Sequence, residues 1–280
     1  MKSYLKLVNF ELGRFIKIYF VLAGITILSQ IAGTMTIANG YMNDFEKAIY
    51  VEGLTTEQFL EQSGKYGLAD LVGTDWFIFP VIFAAAVLLI YSIYIWYRDW
   101  FGKNTFIYRL LMLPTARMNI FFSKATAIFM MVLGLSALQL IIFKITEKIL
   151  QWIIPANLRI DMPIIELVKN GYGNQHLGLL LPTSFIEFLI YYGVGFTAIF
   201  VLYTAILFER SYRLKGAVLG IIYAAAALII FLLPEIITTI LGRDFLYPIE
   251  LLIVHAVLWA IITALSLWVS NYLINKKVTV

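Results

Sequence analysis

The sequence predicts an all-α integral membrane protein with six transmembrane helices and cytoplasmic N and C termini. Three observations carry that expectation. Of the 280 residues, 61% are hydrophobic and 14% are charged, against about 45–50% and about 25% in soluble domains. The apolar residues gather into six long runs, each near the roughly 20 residues that a helix needs to cross a bilayer. The charges are sorted unequally among the segments between those runs. So large an apolar surplus has no single water-soluble core to enter, which excludes a soluble enzyme and a disordered chain.

The first run, 16–38, is too long for a cleaved signal peptide and lacks a clear small-residue cleavage site, so it reads as a retained span. The others are 76–97, 125–143, 183–208, 217–233 and 251–274. As helices they satisfy their own backbone hydrogen bonds, which lipid demands. Ahead of the first span, Leu5, Val8, Leu12 and Phe15 alternate with Lys2, Lys6, Glu11 and Arg14. That pattern predicts an amphipathic N-terminal helix lying in the interface. Between spans five and six, Pro234 to Glu250 is mostly apolar but broken by two prolines and Gly242. Its pieces are too short to span, which predicts a re-entrant hairpin.

With both termini inside, segments 1–17, 98–124, 209–216 and 275–280 hold fourteen Lys and Arg against three acids, a net +11. The rest of the chain holds seven against fourteen, a net −7. Lys and Arg decide orientation, and their two-to-one bias places these segments in the cytoplasm. The cations are spread over four segments, so nucleic acid is not an expected partner. The outer loops, 39–75 and 144–182, are long enough for short helices or a small cap. Within the first, Thr55 is placed to cap a helix, with Gln58 three residues later completing a capping box.

The most informative segment is the cytoplasmic loop after span two. Asn104 is suited to cap a short helix and Pro114 to end it. Between them Phe106, Leu110 and Leu113, with Ile107 and Leu111, follow helical spacing, and Lys103 and Arg109 supply cations. The expectation is an amphipathic helix over about 102–113, either lying in the headgroups or docking a cytoplasmic partner.

A span followed by Gly102, Thr105, Leu110, Leu111, Leu113, Pro114, Thr115 and Arg117, with Lys124 opening the next span, resembles the ABC-2 type transporter permeases. Phe101-Gly102-Lys103-Asn104-Thr105 departs from the pattern, since many members have an acidic residue followed directly by Gly-Thr. The resemblance implies a single permease domain over 1–280 whose 102–113 segment is the coupling helix. Gly102, Lys103, Thr105, Phe106, Arg109, Leu110, Leu113, Pro114 and Arg117 would then dock an ATPase subunit, present in two copies. It further implies a second permease subunit, identical or a sister chain, and a pathway lined by spans two and five. Phe79, Phe83, Tyr91, Tyr94, Glu187 and Glu235 are the candidate lining residues.

Catalytic signatures are missing. No phosphate loop is present, because Ser63-Gly64-Lys65 lacks the first glycine, so ATP and Mg would sit on the partner ATPase and this chain would bind no cofactor. There is no His-Glu-x-x-His and no Gly-x-Ser-x-Gly. The absence of cysteine excludes disulfides and thiolate sites. His176 reads as a loop residue and His255 as a helix-packing one, and Glu187, Glu235 and Glu250 lie near the outer face. No acid is expected at mid-membrane, which argues against proton coupling. The expected function is ATP-driven export of an amphipathic or hydrophobic substrate (antimicrobial peptide, drug or lipid) across a bacterial cell membrane. The alternative is a non-transporting sensor or peptide-immunity protein.

Overall fold

The computed structural model describes residues 2–101, 106–169, 181–241 and 247–278. In chain order the elements are α1 (Lys2–Tyr50), α2 (Thr56–Ser63), β1 (Tyr66–Gly67), α3 (Leu68–Val72), α4 (Asp75–Phe101) and α5 (Phe106–Leu111). They continue with α6 (Met118–Ile153), β2 (Arg159–Ile160), α7 (Ile164–Lys169), α8 (Phe185–Leu241) and α9 (Pro248–Lys276). Five of these helices, α1, α4, α6, α8 and α9, are long and apolar enough to cross a membrane. The chain is a multi-pass helical membrane protein. The apolar runs fall inside helices save for residues 183 and 184, which precede α8, and most of the helices outrun them. In particular, α1 continues unbroken from the amphipathic N-terminal segment through the first span, so no separate interfacial helix precedes it.

Contacts divide the chain into two compact units. The first comprises Met1–Gly13, Leu89–Phe129 and Leu189–Val280. Its most compact feature lies inside α8, where Arg213 alone leaves helical geometry (φ 55, ψ −130). A Cβ at Gly216 would collide with the backbone of Phe208, and one at Gly220 would lie 2.6 Å from the carbonyl oxygen of Ala205. Residues 216 and 220 therefore face 208 and 205 in antiparallel order, and the chain turns back on itself at Arg213. Both arms, 185–212 and 214–241, exceed the length that crosses a bilayer. Glycines four residues apart remove the side chains that would keep two backbones separated, a device common between helices in lipid.

Hydroxyl groups tie α9 to both arms. Thr197 and Thr263 hydroxyls lie 2.7 Å apart, Thr204 and Ser270 2.8 Å apart, and Tyr223 and Ser266 2.7 Å apart. The Trp259 indole donates to Thr197 at 2.6 Å, over a site where Gly193 leaves room for its ring. The helix runs through Pro234 to Leu241, and the next starts with Pro248 in its first turn. Proline interrupts a helix by removing one donor, and here the break expected at Pro234 does not occur. The described parts of 234–250 extend the long helices instead of forming a separate re-entrant pair, while 242–246 lies outside the described residues.

The second unit comprises Arg14–Leu88 and Met130–Phe188. Here Pro80 sits inside α4 and cannot donate to the carbonyl of Trp76 four residues earlier. Helix α1 supplies the replacement: the Ser29 hydroxyl donates to Trp76 O at 3.4 Å, and the Gln30 amide donates to Phe77 O at 3.2 Å. Gln30 and Gln139 also exchange amide hydrogen bonds at 3.0 and 3.3 Å, so neither amide is left unpaired in an apolar interior.

The described parts of 51–74 and 154–169, within the segments expected to be outer loops, build one cap within this unit. Their strands pair in parallel, Tyr66 with Arg159 and Gly67 with Ile160. Beneath them Leu68, Leu71, Phe77, Phe143, Leu158 and Leu167 share a buried cluster. The Tyr41 hydroxyl donates to Gly64 O at 2.8 Å. The capping box at Thr55 and Gln58 is present as its spacing predicts. Burial, with the nearby Asp70 carboxylate, pushes the Tyr66 phenol up to about 12.

Two tests follow from this packing. Gly216→Leu should lower the melting temperature in detergent, with overpacking costing about 1–3 kcal/mol or more, while Gly195→Ala, facing open space, should leave it unchanged. A Cβ at Gly67 would lie 3.4 Å from that of Ile160, close to disulfide range. Gly67→Cys with Ile160→Cys should therefore cross-link under mild oxidation, seen as two proteolytic fragments that separate only after reduction. The chain has no other cysteine to compete.

Candidate functional site

The first unit gathers four charges from three helices. Lys124, early in α6, is completely buried, as is Asp99 near the end of α4, and Glu11 of α1 is nearly so. An isolated ammonium in such surroundings would cost several kcal/mol. Lys124 avoids this by using all three of its donors: to Glu11 Oε1 at 2.7 Å, to Asp99 Oδ2, and to Ile95 O at 3.1 Å. The other oxygen of Glu11 accepts from Arg98 Nη2 at 2.8 Å, and Arg98 Nη1 donates to the Tyr91 hydroxyl at 3.1 Å. Trp96, packed edge-on against Tyr203, brings its ring to 5.5 Å from the ammonium. Two cations and two anions balance, with Lys124 and Asp99 sealed from solvent and Arg98 partly exposed. The cluster binds α1, α4 and α6 at one point; it holds no nucleophile and acts as a joint.

Helix α5 is mounted beside this joint. Phe106 stacks on Phe10 of α1 with ring centroids 5.6 Å apart, and Tyr108 packs edge-on against Trp100. Ile107, Leu110 and Leu111 are buried, whereas Arg109, Met112 (71% exposed), Leu113 and Pro114 face outward. Among the described residues the helix runs Phe106–Leu111 and so ends before the expected residue 113, while Gly102, Lys103 and Thr105 lie outside the described residues. Two of the expected docking residues make contacts within the chain. Leu110 is part of the inward face, and Arg117 donates to Ile274 O at 3.1 Å and Val278 O at 3.3 Å. Arg117 thus caps the end of α9, where carbonyls lack helical partners. Met112, absent from the expected set, is the most exposed apolar side chain of the tip.

The expected pathway residues separate in the same way. Phe79, Phe83 and Tyr94 lie on the exposed stripe of α4. Tyr91 does not: it is buried and accepts a hydrogen bond from Arg98 of the joint. Glu187 accepts from the Thr183 backbone N–H at 2.7 Å and from its hydroxyl at 2.9 Å, closing the first turn of α8. Glu235 lies 2.7 Å from His255 Nε2, whose Nδ1 is 2.8 Å from Leu251 O. The paired burial of Glu11, Asp99 and Lys124 was missed by sequence reasoning, which counted them as loop charges. A lysine six residues into an otherwise apolar helix was the available signal, because such a cation requires an acid from elsewhere in the fold.

Comparison with protein-family models, curated proteins and solved structures finds no match to this chain.

Removing Lys124 would leave two carboxylates facing each other without water. Lys124→Met should destabilise the protein by about 3–5 kcal/mol, read as a fall in melting temperature. Adding Asp99→Leu should recover part of the loss, giving a non-additive cycle.

Proposed function

We propose that this chain is the membrane-spanning permease subunit of an ATP-driven exporter of the ABC-2 type in a bacterial cell membrane. The observation that carries the reading is the exposed tip at Arg109, Met112, Leu113 and Pro114, in the loop that resembles the family, set on a rigid buried joint. A partner pressing on this tip has a direct mechanical route into α1, α4 and α6, because Phe10, Trp100 and the Lys124 cluster connect them. In this reading the two arms of α8 are separate spans, giving six in all, with both termini cytoplasmic. A second permease subunit completes the membrane part, and two ATPase subunits supply ATP and Mg. The buried charges of the Lys124 cluster are already balanced, which favours an amphipathic or hydrophobic cargo over a bare ion.

A second reading is favoured by the folded outer cap, a feature suited to peptide binding without transport: a membrane sensor or immunity protein. Co-expression with a candidate ATPase separates the two. Arg109→Glu and Met112→Asp, both at exposed positions, should each reduce co-purified ATPase at least tenfold and abolish stimulation of its turnover. If the complex and its ATPase rate survive both changes, the docking assignment is wrong.

A further inference from the structure

The turn between the arms of α8 carries a group of charges that the docking reading leaves unused. Arg213, at the reversal itself, and Lys215 are exposed, and Leu214 between them is 86% exposed. The end of α9 lies alongside: Lys277 Nζ is 5.9 Å from the ring centre of Tyr212, and Lys276 is exposed next to it. Among the described residues, none of these four cations has a carboxylate within ion-pair distance. The one acid of the turn, Glu209, is engaged elsewhere. It accepts from the Tyr97 hydroxyl and lies 3.5 Å from Arg210 Nη2, and the Arg210 guanidinium is laid over the rings of Tyr97 and Phe101.

We infer that this tip is a binding surface for anionic phospholipid headgroups of the inner leaflet. It stands where two apolar helices leave the hydrocarbon, so its depth is that of the phosphates. Four unneutralised cations match the sign of that layer. Leu214 would be wasted in water, but at the acyl boundary it can insert while its two neighbours reach the phosphates. Tyr212 suits the same depth, since its ring is apolar and its hydroxyl polar. The inference rests on the proposed orientation, with this end of the helices cytoplasmic, and does not depend on an ATPase partner.

The test uses the full chain purified in a neutral detergent and titrated with phosphatidylglycerol or phosphatidylcholine in mixed micelles. Wild type should bind phosphatidylglycerol at least tenfold more tightly, with the preference shrinking at high salt. Replacing Arg213, Lys215, Lys276 and Lys277 with Gln should erase it, at ~5-fold per charge removed. Replacing the outer lysines Lys47, Lys65, Lys144 and Lys148 with Gln should leave it intact. If the tip variant does not fold, Lys215→Gln and Lys277→Gln singly, each expected to lose ~5-fold, decide the matter. Equal affinity for both lipids in wild type, or equal loss in the outer-lysine control, overturns the inference. So does a tip variant that keeps its lipid preference while losing a soluble protein partner.

Discussion

An ammonium group cut off from water has to find its counter-charges inside the protein, and Lys124 finds two. Everything around it follows from that requirement. Glu11 has to come from α1 and Asp99 from α4, so three helices are drawn to one point. Arg98 then adds a second cation, donating to the other oxygen of Glu11. The arrangement adds little net stability over a hydrophobic equivalent, since the desolvation of four charged groups offsets most of their attraction. Its contribution is specificity of placement. Apolar helices slide past each other at small cost, whereas an ion cluster with fixed hydrogen-bond directions admits one register.

The same logic governs the other unit with neutral groups. Pro80 exposes a carbonyl, α1 answers with Ser29 and Gln30, and Gln139 completes the exchange. In lipid no solvent stands ready to satisfy a broken helix, so neighbouring side chains must do it. Both units therefore position their helices with a few polar contacts, while the apolar surface provides burial without choosing a register.

The parts legible in the sequence are those written in local pattern. The apolar runs fell almost wholly inside helices because hydropathy alone decides what enters lipid, and Thr55 with Gln58 announced a helix start by spacing. Helix ends were less legible. Residues 39–50 continue α1 because Tyr41, Met42 and Phe45 pack there with the cap, a tertiary gain that no hydropathy window contains. The turn at Arg213 has no glycine or proline of its own; its signature is the pair Gly216 and Gly220, which matters only once Phe208 and Ala205 are known to lie opposite. At the candidate site, the amphipathic character of 106–111 was readable, but which apolar residues turn inward was not. Leu110 and Leu113 share one periodic face, yet the first packs inside and the second faces out because the helix ends between them.

The cluster around Lys124 also constrains how the chain can be made. Glu11 precedes its lysine partner by 113 residues. At the pace of synthesis, roughly 5–20 residues per second, the carboxylate waits on the order of 6–20 seconds for that partner to exist. Until then it has to stay in the interface or be held by the insertion machinery, because it cannot be desolvated alone. Final seating of α1 is thus a late event in biogenesis, timed by the emergence of α6, which follows it in the chain.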